Sequence, residues 1–76
     1  MAYQTNLEDY TKRFDYDNDG NILYKGSAKA GTTTSSAFWS ISKYYYANGN
    51  LLSVLWADGN TLEDNIWDNR TSLTYI

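Results

Sequence analysis

A chain of 76 residues without histidine or cysteine draws its chemistry from carboxylates, hydroxyls, amines and aromatic rings. The densest such group is Asp15-Tyr16-Asp17-Asn18-Asp19-Gly20-Asn21-Ile22. Its carboxylates at the first, third and fifth places, glycine at the sixth and branched residue at the eighth match the start of a helix–loop–helix calcium loop. Three converging carboxylates in a tight turn suit a hard cation. The twelfth place, where a bidentate glutamate is required, is Gly26, and the residues that follow read as strand rather than helix. Asp15, Asp17 and Asp19 are therefore candidate metal ligands, with a solvated polar turn as the preferred reading and no metal expected.

Catalytic sets fare worse. Serine and cysteine nucleophiles lack their usual base without histidine. Nine acidic residues permit a carboxylate pair in principle. A domain of this length rarely encloses the several hundred cubic ångströms that a substrate pocket needs. Glycine-rich phosphate loops are absent. No catalytic residue and no cofactor is expected, and a zinc site is disfavoured without imidazole or thiolate.

Aromatic residues make up 17% of the chain, as eight Tyr, three Trp and two Phe. That is more than one small core needs, so some should face a partner. Trp39, Tyr44, Tyr45, Trp56 and Trp67 are the expected core or interface anchors. With Tyr46, they also offer a platform on which a sugar ring could stack. Six basic against nine acidic residues leave a net charge of −3, and the lysines and arginines are scattered. Nucleic acid is not expected as a partner. The longest apolar stretches fall far short of the roughly 20 residues that span a bilayer. Residues 1–8 show no signal peptide, and without one the sequon Asn69-Arg70-Thr71 is read as chance. Neither a membrane partner nor a disulfide is expected.

The elements that must position these residues are marked by turns. Asp19-Gly20, Asn48-Gly49 and Asp58-Gly59 each precede an asparagine and lie among aromatic and branched residues, the strongest short-range hairpin signal. The first hairpin runs about 10–17 into 21–26. A bulged loop there pairs Tyr16 with Ile22 and Phe14 with Tyr24. Residues 27–36, small and polar, read as a mobile loop. The second hairpin runs 37–46 into 51–57. A two-residue turn pairs Tyr45 with Leu52, Lys43 with Val54 and Ile41 with Trp56, with Trp39 on the same face. Residues 61–67 fit a helical turn or a strand equally. Asp68-Asn69-Arg70 reads as a turn in which Asp68 and Arg70 stabilise the chain after Trp67, and 71–76 as a closing strand. The expectation is one all-β domain over 1–76: two antiparallel hairpins plus a closing C-terminal strand, as a small barrel or sandwich. A flexible segment is expected at 1–8, where Asn6 and Asp9 also suggest a short capped helix. So small a fold gains stability by oligomerising or docking.

Several stretches resemble a family of small tailed-bacteriophage proteins. They are Phe14-Asp15-Tyr16-Asp17, Asn21-Ile22-Leu23-Tyr24-Lys25-Gly26, Ala30-Gly31-Thr32-Thr33-Thr34-Ser35, Trp39-Ser40-Ile41-Ser42-Lys43, Trp56-Ala57-Asp58-Gly59 and Ile66-Trp67-Asp68-Asn69-Arg70-Thr71-Ser72. Together they cover most of the chain, and the last is the most specific. A proline that relatives often carry near Gly31 is missing. The resemblance implies a non-enzymatic structural or accessory protein of the virion, assembled in the host cytoplasm, whose partners are other virion proteins or itself as a homo-oligomer. It transfers no catalytic residue. The alternatives are a small binding module for surface carbohydrate or calcium, and a phage-encoded regulator of a host protein.

Overall fold

The turn residues set the sheet. In the computed structural model, which describes residues 9–76, strands β1 (Tyr10–Tyr16), β2 (Ile22–Lys29), β3 (Ser40–Ala47) and β4 (Asn50–Trp56) pair antiparallel in the order β1-β2-β3-β4. The flexible segment expected at 1–8, and the short capped helix suggested there as an alternative, lie outside the described residues. The chain is all-β, and the described residues include one 3-10 helix, Trp67–Ser72.

At the first turn the Asp17 Oδ1 accepts the backbone N–H groups of Asp19 and Asn21, both at 2.9 Å. Gly20 takes φ of 85°, open to glycine at little cost. Tyr16 faces Ile22 as expected, but Leu23 is then an extra residue in β2. Asp15 therefore opposes Tyr24, and Phe14 opposes Lys25 rather than Tyr24. The bulge sends Tyr24 to the covered face and Phe14 to the open one. β2 also runs further than expected. Ser27, Ala28 and Lys29, read from sequence as loop, pair with Lys12, Thr11 and Tyr10. Of the three only Ala28, whose side chain is small, belongs to the core, and it is fully buried.

At the second turn Asn48 and Gly49 both take positive φ, 53° and 82°, the geometry that a two-residue hairpin demands. Ala47 opposes Asn50 and Tyr46 opposes Leu51. Leu52 is then extra, so Tyr45 meets Ser53, Lys43 meets Leu55 and Ser42 meets Trp56. The expected pairs Tyr45–Leu52, Lys43–Val54 and Ile41–Trp56 are each displaced by this bulge. Trp56 consequently lies on the face opposite Ile41.

Beyond β4 the chain closes the sheet without a full strand. Asn65 bridges Trp39, and Tyr75 bridges Ala57. The stretch 61–67 is neither helix nor strand up to Trp67, and Asp68-Asn69-Arg70 lies inside the 3-10 helix. Crossing the sheet to seat Trp67 leaves only residues 74–76 to pair, against Trp56 and Asp58. Among the described residues the sheet is a single open layer, neither closed into a barrel nor packed on a second sheet. The core of Tyr24, Ala28, Trp39, Ile41, Ala57 and Trp67 sits between it and this C-terminal cover.

Candidate interaction surfaces

Gly26 explains how two indoles reach the sheet. A Cβ there would lie 2.5 Å from the Trp67 ring and 3.1 Å from that of Trp39. Its absence lets both rings descend onto the backbone, their centroids 6.0 Å apart. Trp39 Nε1 donates to the Thr33 carbonyl at 2.9 Å, so the tip of the indole stays paired when buried. The Arg70 guanidinium lies 4.7 Å from the Trp67 ring centroid and donates from Nε to Asp15 Oδ2 at 3.0 Å. Its Nη1 donates to the Trp67 carbonyl at 3.3 Å. Tyr75 donates its hydroxyl to the Arg70 carbonyl at 2.8 Å. Burial first, and then the neighbouring Tyr24, push the Tyr75 phenol well above its usual pKa. Lys43 lies between the rings of Tyr24 and Tyr45, at 5.5 and 5.2 Å.

Of the expected anchors, Trp39 and Trp67 are core, and Tyr45 packs beside Lys43 on the same covered face. Trp56 and Tyr44 point to the other, open face by their place in the register. Arg70 holds the segment after Trp67 as expected, whereas Asp68 contributes its backbone N–H, to the Thr34 carbonyl at 3.1 Å. The candidate metal ligands have separate tasks. Asp15 is engaged by Arg70, and Asp17 binds the turn amides. Among the described residues no three potential metal-ligating side chains converge.

The open face carries two rows across the sheet. One is Phe14, Lys25, Ser42 and Trp56; the other is Lys12, Ser27 and Ser40. Thr61 and Glu63 of the loop after β4 overhang them, leaving a groove of about 250 Å³. Sequence reasoning missed this groove. A serine in a strand reads as ordinary surface, and Glu63 reaches the serines only through the path of the loop after β4.

The outer edge of β1 is the second surface. The Ala30 N–H donates to the Asp9 carbonyl, so odd-numbered residues of β1 turn their backbone groups toward β2. Lys12, Phe14 and Tyr16 turn theirs outward, where no described strand pairs with them. Tyr10, Phe14 and Tyr16 are also exposed, at 42, 44 and 55%. The corresponding edge of β4 is partly occupied, since Ile76 donates to the Trp56 carbonyl and Asp58 to that of Thr74. No described helix is long and apolar enough to cross a membrane.

Searches with family models, among curated proteins and among solved structures find no match to this chain.

Proposed function

We propose that the protein is a non-enzymatic assembly component acting through protein–protein contacts, and that its primary contact is antiparallel pairing of β1 with β1 of a second copy. The self-complementary outer edge of β1 carries this reading. A two-fold axis at Phe14 sets Phe14 opposite its own copy, Lys12 opposite the second copy's Tyr16, and Arg13 opposite the second copy's Asp15. The outward backbone groups of Phe14, Lys12 and Tyr16 then fall in hydrogen-bonded pairs, each exchanging both bonds. Registers centred on Lys12 or Arg13 would place like charges directly opposite, which is destabilising. Arg13 has no ion-pair partner among the described residues, and Asp15 keeps its Oδ1 beyond the bond to Arg70. Lysines commonly guard a sheet edge against pairing; here the Phe14-centred register supplies Lys12 with an aromatic neighbour. Assignment of this assembly to a phage particle, beside other virion proteins, rests on the family resemblance of the sequence.

Sedimentation velocity over a range of concentrations, with calcium and then with chelator, tests the pairing. A reversible dimer indifferent to chelator is expected, with Phe14→Lys shifting it to monomer because two ammonium groups then meet at the axis. A monomer at every concentration, or a dimer that Phe14→Lys leaves intact, overturns it. Compaction only with calcium would favour the binding-module alternative through Asp15, Asp17 and Asp19.

A further inference from the structure

Ser40 and Ser42 are more than nine-tenths buried, at 8 and 1% exposure. Neither hydroxyl bonds to another described residue. Both residues line the groove of the open face, with Ser27 and Thr61. Lys12 and Lys25 stand at the same groove with no carboxylate partner, since the ion pair among the described residues is Asp15–Arg70. Among the described residues Glu63 is its single acid, so two ammonium groups stand against one carboxylate there, in a chain whose net charge is −3. The Trp56 indole supplies the apolar wall.

We infer that this groove binds a sugar acid, a single pyranose ring bearing one carboxylate. The carboxylate is held by Lys12 and Lys25 through charge-assisted hydrogen bonds. The ring hydroxyls exchange bonds with Ser40, Ser42 and Ser27, and Glu63 accepts from a further hydroxyl. The apolar face of the ring rests on Trp56, as aromatic walls serve other partly apolar ligands. The size of the groove fits one ring, because at about 250 Å³ it lies below the roughly 300–1,000 Å³ of drug-sized sites. A neutral sugar would leave both ammonium groups unpaired, and a simple carboxylate would leave the serines unpaired. Discrimination against both follows from that pairing.

Titration with sodium glucuronate, read by tryptophan fluorescence and by calorimetry, tests the site beside glucose and sodium acetate at matched ionic strength. Saturable binding of glucuronate is expected, at least about tenfold tighter than that of glucose or acetate. Lys25→Met and Ser42→Ala should each weaken it about tenfold or more while leaving the melting temperature and the sedimentation behaviour unchanged. Absence of saturation by glucuronate, equal binding of acetate, or unaltered affinity in both folded variants overturns the assignment.

Discussion

At Gly26 one hydrogen atom decides whether two tryptophans can share a core. The position is legible in the sequence only as a glycine within a strand, a hint of close backbone approach; the residue it admits, Trp67, lies far along the chain. Gly26→Ala should destabilise the fold by about 1–3 kcal/mol through overpacking, read as a lower urea midpoint with altered near-ultraviolet circular dichroism of the indoles. Tyr75 gives a second measure. Its phenol is partly buried and hydrogen-bonded while neutral, so its folded pKa lies above the unfolded value near 10. The neutral form binds its proton more tightly when folded. Its stabilisation is thus complete below about pH 10 and declines as pH rises above it. Urea midpoints measured from pH 8 to 11 should fall at the alkaline end, and Tyr75→Phe should flatten that fall. The charged pair Asp15–Arg70 was not legible at this scale. Each residue reads locally as part of a turn, and only the C-terminal cover brings them together.

Both hairpins and the positions of their turns were legible, because Asn-Gly and Asp-Gly serve positive φ where few other residues do. The face that each strand presents was not. One extra residue, Leu23 or Leu52, reverses the pairing beyond it while leaving the alternation of the sequence almost unchanged. This is why Phe14 and Trp56 lie on the open face. The 3-10 helix was hidden for a related reason. Thr71, Leu73 and Tyr75 have strand character, but the descent of Trp67 onto Gly26 fixes the path so that of the three only Tyr75 reaches a bridge, with Ala57. At the second turn, Gly49 has no atom within 4 Å of an added Cβ, so Gly49→Ala reports backbone strain alone. A cost of about 1–2 kcal/mol is expected for the left-handed conformation, lowering the melting temperature by roughly 4–8 °C per kcal/mol in a domain of this size.

For the molecule as a whole, the turn signals identified the β class and composition the surplus of aromatic residues. It could not show that the sheet stays a single layer, since that depends on where the bulges put the rings. Nor did the net charge reveal the groove, because an average over 76 residues conceals a local excess of lysine. The proposed pairing of β1 has a geometric consequence for that groove. Antiparallel strands paired in one sheet are related by an axis perpendicular to it, so each copy keeps the same face upward. Two grooves then look out on the same side of a continuous sheet. Such a pair is bivalent toward any surface bearing repeated sugar acids: release of one groove leaves the other attached, and rebinding becomes an intramolecular event at high effective concentration. A free sugar gains nothing from this arrangement, so two weak sites would add up to a surface-selective grip.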